Sequence, residues 1–247
     1  LKVRPLMKAV EVKTDNRYIL YDADGIENPE MLRFDADSWA SQNAITGFAE
    51  GRGTTFFIQH ADRDYVLRHY RRGGMIARIS PDRYIWTGLQ RTRAWREWHL
   101  LAKMQEMGLP VPQPVAVQVV RHGMLYSADI MTRRINQANT LAGELAHHAL
   151  AREDWQALGK VIRQFHHHGV WHADLNANNI LLNDKKQMFL IDFDRGRLRK
   201  PAHHWQRANI DRLKRSLLKL QGRSSDFYFT ASDWQALLEG YTPEAVD

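Results

Sequence analysis

Two aspartates and an asparagine carry the strongest chemical signal in the sequence. The stretch Trp171-His172-Ala173-Asp174-Leu175-Asn176-Ala177-Asn178-Asn179-Ile180-Leu181-Leu182 is followed by Leu190-Ile191-Asp192-Phe193-Asp194. Asp174, Asn179 and Asp192 therefore sit in polar loops beside short apolar runs, which read as buried strands able to hold the loop oxygens rigidly. Magnesium takes hard oxygen ligands and keeps several waters. A few such side chains plus substrate phosphates suffice to bind it. An aspartate beside that site can accept a proton from a hydroxyl.

The spacing His-x-Asp-x-x-x-x-Asn, with Asp-Phe on the far strand of a hairpin, resembles the catalytic loop of the protein-kinase-like superfamily. The resemblance implies that Asp174 orients the acceptor hydroxyl and takes its proton, and that Asn179 and Asp192 carry magnesium. It gives His172 a packing and hydrogen-bonding role. The run His166-His167-His168 closes a helix and is not read as a zinc site. Further upstream, Gly47 to Thr55 is glycine-rich, and Gly51 and Gly53 would let backbone N–H groups approach phosphates. The strand after it, Tyr65-Val66-Leu67-Arg68, reads like the strand that carries the phosphate-binding lysine. Here the basic residue is Arg68, and Glu97 in the next helix is its expected ion-pair partner.

The elements that must position these groups fall into two halves. Thr54 to Ile58 and Tyr65 to Leu67 are β-rich runs separated by a polar turn, Gln59 to Asp64. Residues 91–107 carry Trp95, Trp98, Leu101 and Met104 along one side and read as a helix that Gly108 stops. Val115 to Val120 and Leu125 to Met131 follow as strands. From about residue 140 the chain reads helical, with Trp155, Leu158, Ile162 and Phe165 in register and Gly169 as the stop. Ile180 to Leu182 and Phe189 to Ile191 flank a turn at Asn183-Asp184-Lys185-Lys186, and the chain from about 205 is helical again. The expectation is an α+β, two-lobe kinase-like fold. Residues 1–127 form the β-rich lobe, and 128–247 form the helical lobe with the catalytic loop. ATP would lie between the lobes, its adenine near a connector around Ala128 to Met131.

Composition narrows the partners. The chain has 247 residues, no cysteine and a formal net charge of +7. Disulfide frameworks, cysteine-based zinc sites and thiol nucleophiles are excluded. No run of about 18 apolar residues is present to span a bilayer as a helix. The positive charge is arginine-heavy, 25 Arg against 10 Lys, which suits phosphate and carboxylate partners. No Ala-Pro-Glu element follows Asp192-Phe193, which points to a small-molecule or lipid headgroup acceptor and away from a protein.

A narrower resemblance rests on Arg68-His69-Tyr70-Arg71-Arg72-Gly73-Gly74, Gly108-Leu109-Pro110-Val111-Pro112, His172-Ala173-Asp174-Leu175-Asn176-Ala177, Asp192-Phe193-Asp194 and Arg212-Leu213-Lys214-Arg215-Ser216. Together these are similar to the 3-deoxy-D-manno-octulosonic acid (Kdo) kinases of the lipopolysaccharide-core kinase group, over about residues 45 to 220. The resemblance implies magnesium- and ATP-dependent phosphorylation of the Kdo 4-hydroxyl on a lipid A precursor. The enzyme would work at the cytoplasmic face of the inner membrane, held peripherally on an anionic surface, with no nucleic acid as partner. Asn178 stands where one familiar relative has His. Two other readings stay open: a phosphotransferase for another small alcohol or core sugar, and a catalytically weak kinase-like module that binds anionic surfaces. The basic chain disfavours a cationic aminoglycoside acceptor.

Overall fold

A computed structural model describes residues 7–26, 32–49, 55–71 and 82–242, and it divides into two compact units. The first comprises residues 1–106 and 112–134, the second 107–111 and 135–247.

The first unit is built on an antiparallel sheet. Its strands are β1 (Ala9–Thr14), β2 (Arg17–Asp22), β3 (Ile45–Ala49), β4 (Thr55–His60), β5 (Arg63–His69), β6 (Tyr84–Ile85), β7 (Pro114–His122) and β8 (Leu125–Arg133), in the order β1-β2-β7-β8-β5-β4-β3 with β6 paired to β8. The expected turn between β4 and β5 shrinks to Ala61 and Asp62, both at positive φ (47° and 59°), the two-residue geometry that matches strand twist. One hydrophobic cluster gathers Trp39 from the short helix α1 (Ala36–Ala40) with Ile58, Tyr65, Leu67, Val115 and Met131. The helix α2 (Arg93–Glu106) buries Trp95, Trp98, Leu101 and Met104, the stripe its spacing foretold. Tyr65 and Leu67 point into the Trp39 cluster, so alternation along β5 sends Arg68 to the opposite face.

Two expectations are corrected here. Ala128 to Met131 is not a connector but the middle of β8, with Ala128, Ile130 and Met131 buried and paired on both sides. The division between units therefore falls after Arg134, one residue past the end of β8, and not at 127/128. The hairpin β1–β2 was missed. Its strands mix charged and apolar residues, and β1 exposes nearly every side chain, so it lacks a clean apolar face.

The second unit is helical around two small sheets. Its helices are α3 (Leu141–Leu145), α4 (Arg152–His167), α5 (His203–Gln221) and α6 (Ala231–Tyr241). Strands β9 (Ala138–Thr140), β11 (Ile180–Asn183) and β12 (Met188–Leu190) form one sheet, and β10 (Val170–Trp171) pairs with β13 (Arg197–Leu198). The hairpin β11–β12 turns where the sequence placed it, because Asn183 Oδ1 accepts the N–H groups of Lys185 and Gln187. Helix α4 ends at Gly169, whose φ of +73° only glycine adopts without strain.

Candidate active site

In the first unit, Arg68 on β5 meets Glu97 on α2 with Nη2 2.6 Å from Oε1. Glu97 is buried, and a buried carboxylate needs a partner to stay charged. It has a second one: the Tyr70 hydroxyl donates to Glu97 Oε2, and the Arg68 guanidinium lies 4.9 Å from the Tyr70 ring centroid. The arginine at the usual lysine position is thus seated by a tyrosine two residues on, which the sequence reading quoted but gave no role. Gly51 and Gly53, expected to cover phosphates, lie outside the described residues.

In the second unit, the loop between β10 and β11 carries Asp174 and Asn179. His172 is fully buried and braces it. The Asp174 N–H donates to Nδ1 (3.0 Å), which leaves Nε2–H to donate to the carbonyl of Ile191 (2.9 Å). Burial lowers the pKa of this imidazole, so the neutral tautomer that makes both bonds is the stable one. A single ring therefore ties the Asp174 loop to the residue preceding Asp192. Asn209 on α5 closes the same joint from behind, its Oδ1 accepting from the His172 N–H and its Nδ2 donating to the His172 carbonyl.

Asn179 follows Asn176, which caps a short 3-10 turn by accepting the Asn178 N–H. Its Nδ2 donates to the Asp174 carbonyl (2.9 Å), and its own carbonyl accepts from the Ile191 N–H (3.0 Å). Asn179 is bonded to the Asp174 segment on one side and to Ile191, the residue before Asp192, on the other. Asp192 itself sits at φ +59°, a left-handed conformation that costs a non-glycine residue of order 1 kcal/mol or more. Phe193 beside it is buried, stacked on Phe165 of α4 at 5.9 Å and tilted against His172 at 4.6 Å. The aromatic ring turned into the core holds the neighbouring aspartate in its strained place.

Arg212 on α5 enters the sequence analysis only as the start of the run Arg212-Leu213-Lys214-Arg215-Ser216, with no role of its own. It donates from Nη1 to Asp174 Oδ1 at 3.0 Å, and Ser216 one turn later accepts the Ala177 N–H. Helix α5 is thus a second wall for the loop. Its i, i+4 spacing, Arg212 to Ser216 behind Asn209, is the signal that was available. Arg199, which no motif singles out, lies 3.7 Å over the Trp171 ring and so helps to hold the start of the loop.

The metal site expected at Asn179 and Asp192 fits the donor chemistry, one amide oxygen and one carboxylate, both hard ligands. Among the described residues, no group of three or more His, Cys, Asp or Glu side chains is assembled for a metal ion. Magnesium shares its shell with water and phosphate oxygens, so an amide oxygen and a carboxylate from the chain would be enough to hold it. His166, by contrast, is occupied in packing: it is buried, shares a 2.7 Å hydrogen bond with the Tyr241 hydroxyl and packs edge-on to Trp205.

An antiparallel sheet unit bearing an arginine–glutamate pair, and a helical unit bearing a braced His-x-Asp-x-x-x-x-Asn loop with Asp-Phe beside it, define a kinase-like protein. A family model described as "Lipopolysaccharide kinase (Kdo/WaaP) family" matches residues 36–241, and the chain belongs to that family. A 3-deoxy-D-manno-octulosonic acid kinase of Photobacterium profundum is 38% identical over 231 residues, covering 94% of this chain and 97% of its own. Proteins of the same name from Vibrio vulnificus (40% over 223 residues, 90% and 94% covered) and Haemophilus influenzae (38% over 239 residues, 94% and 98% covered) agree. Kinases of such a family take their phosphoryl group from a nucleotide.

Proposed function

We propose that this chain is a Kdo kinase of lipopolysaccharide core assembly, transferring the γ-phosphoryl group of ATP to the 4-hydroxyl of Kdo on a lipid A precursor. One observation supports it above the others: the His172 brace joins the Asp174 segment to Ile191, the residue before Asp192, tying the proton acceptor and the hard-ligand carboxylate into one framework. The three relatives named as Kdo kinases support the choice of sugar. Asp174 accepts the proton of the attacking hydroxyl, and Arg212 holds the carboxylate in the orientation that receives it. Asn179 and Asp192 would hold magnesium, which neutralises charge on the phosphate oxygens during transfer. Arg68, oriented by Glu97 and Tyr70, binds phosphate with the planar fork that lysine lacks. The formed Arg68–Glu97 pair favours an enzyme over a catalytically weak binding module, since the departure from lysine keeps the pair intact.

The acceptor is a lipid, so the enzyme meets a surface. No helix among the described residues is long and apolar enough to cross a membrane. The net charge of +7 suits peripheral attachment to the anionic cytoplasmic face of the inner membrane. Incubation with ATP, magnesium and a Kdo-bearing lipid A precursor should yield a product with one added phosphate. Phosphorus–proton correlation in NMR should place it on the 4-oxygen. A phosphate elsewhere on the sugar, or transfer to a different core sugar in preference, would overturn the assignment.

A further inference from the structure

The first unit carries a cluster that neither phosphate nor sugar chemistry uses. Among the described residues eight large apolar side chains are exposed, and three of them meet at one place: Ile85 on β6 (65% exposed), Met124 in the β7–β8 turn (82%) and Leu125 on β8 (37%). Ile85 and Leu125 are direct cross-strand partners, and the Met124 carbonyl accepts the Trp86 N–H. The three side chains therefore crown a single hairpin tip.

Behind that crown lies a ladder of rings closed by cations. Lys13 Nζ sits 5.6 Å over Tyr18, Tyr18 stacks on Trp86 at 5.6 Å, and the Arg121 guanidinium lies 5.2 Å over the same indole. Trp86 also meets Tyr126 edge-on, and Tyr126 stacks on Tyr84. From there Arg93 bridges Tyr84 and Tyr70, whose hydroxyl donates to Glu97. The tip is thus continuous with the residues that seat Arg68. The carboxylate at its flank, Asp82, lies 3.7 Å from Arg83 Nε and 3.5 Å from His69 Nε2, and Asp15 stands in the adjoining β1–β2 turn.

Exposed aliphatic residues at an extremity, a Trp and Tyr layer beneath them and Lys and Arg beside the rings are the order of groups that a lipid interface selects. Aliphatic side chains enter the acyl boundary, aromatic rings sit at headgroup level and cations meet phosphates. We propose that the β6 and β7–β8 tip is the membrane-docking surface, that it inserts Ile85, Met124 and Leu125 into a bilayer, and that Lys13, Arg83 and Arg121 meet anionic headgroups. This deepens the reading of a lipid-linked acceptor by naming the surface that brings the enzyme to it.

Co-sedimentation with phosphatidylethanolamine vesicles containing phosphatidylglycerol, free of any Kdo lipid, tests the surface apart from catalysis. The variant Ile85→Ser/Met124→Ser/Leu125→Ser should need at least tenfold more lipid for half-binding and keep the wild-type melting temperature. Its rate on a deacylated, water-soluble Kdo acceptor should equal that of wild type. Arg121→Gln should weaken binding to anionic vesicles and leave any residual binding to neutral ones unchanged. Equal vesicle binding by the triple variant and wild type would overturn the proposal. So would a concentration-dependent dimer in sedimentation velocity that the triple variant abolishes while wild type ignores vesicles, since the occupant would then be a second copy. Loss of vesicle binding in the triple variant supports the docking surface even if no Kdo acceptor is phosphorylated, a result that would count against the kinase reading alone.

Discussion

At the scale of single residues, the loop motif was legible because its chemistry depends on residue type and spacing, and both are printed in the sequence. Arg68, Glu97, Asp174, Asn179 and Asp192 needed no structure to be singled out. Tyr70, Asn209 and Arg212 did, because their importance comes from long-range partners: Tyr70 reaches Glu97, Asn209 grips His172, and Arg212 reaches Asp174 across 38 positions. Asp174→Asn should lower kcat by about 10²- to 10⁴-fold, the usual weight of general-base help, with melting within about 2 °C of wild type because the side chain is 41% exposed and the change keeps its shape. Near-normal turnover in steady-state assays would contradict the proton-acceptor role. Arg212→Ala should cost roughly ten- to a hundredfold in kcat through misplacement of that carboxylate, with little change in the KM for ATP. Arg212→Lys should recover part of the loss, whereas a defect of the helix alone would not distinguish the two variants. Arg68→Lys should retain partial activity with a raised KM for ATP, since charge is kept and the bidentate fork is lost. Full activity of Arg68→Ala would show that another residue binds phosphate.

At the scale of elements, helix α2 and the hairpins β4–β5 and β11–β12 could be read in advance because an apolar stripe or a turn-forming residue marks each one. The β1–β2 hairpin and the β10–β13 pair could not. The first has weak alternation, and the second is two residues long and formed by strands far apart in sequence. The contact of α4 with α6 was also invisible, although it depends on two glycines. A Cβ on Gly159 would stand 2.1 Å from the Leu237 carbonyl oxygen, and one on Gly240 would stand 1.9 Å from that of Gln156. The two backbones touch where side chains are missing, and α4 in turn places Phe165 beneath Phe193. Gly159→Ala should therefore destabilise the protein by at least about 1–3 kcal/mol, the usual cost of overpacking, despite the gain in helix propensity. Urea denaturation would measure it. An unchanged or raised midpoint would show that the helices separate without cost.

At the scale of the whole chain, composition excluded thiol and disulfide chemistry outright and suggested an anionic partner, yet it did not show that several arginines are used to position the site's own residues. Arg68, Arg199 and Arg212 each hold another residue of the site in place. The titration of buried histidines makes stability depend on pH. Burial pulls the pKa of His166 down to about 4 and lowers that of His172 as well. Folded protein binds fewer protons at these sites than unfolded protein below an ordinary histidine pKa of 6.5, so stability is present above 6.5 and is lost as pH falls from there toward about 4. His69 acts oppositely. Its bond to Asp129 raises its pKa, so its contribution is complete below 6.5 and fades as pH rises through the raised value. Chemical denaturation across this range should show a steep decline on the acid side, with a slope of up to about 1.4 kcal/mol per pH unit for each buried histidine. His166→Gln should flatten part of that slope, and an identical slope in the variant would contradict the assignment. The most direct measurement of all is phosphate transfer from γ-labelled ATP to a Kdo-bearing lipid A precursor by wild type, Asp174→Asn and Asp192→Asn, with and without a magnesium chelator. Label should appear on the Kdo lipid with wild-type protein and magnesium, and should fall to background with the chelator or in either variant. Undiminished labelling by both folded variants, or none by wild type with magnesium present, would contradict a Kdo kinase built on this loop.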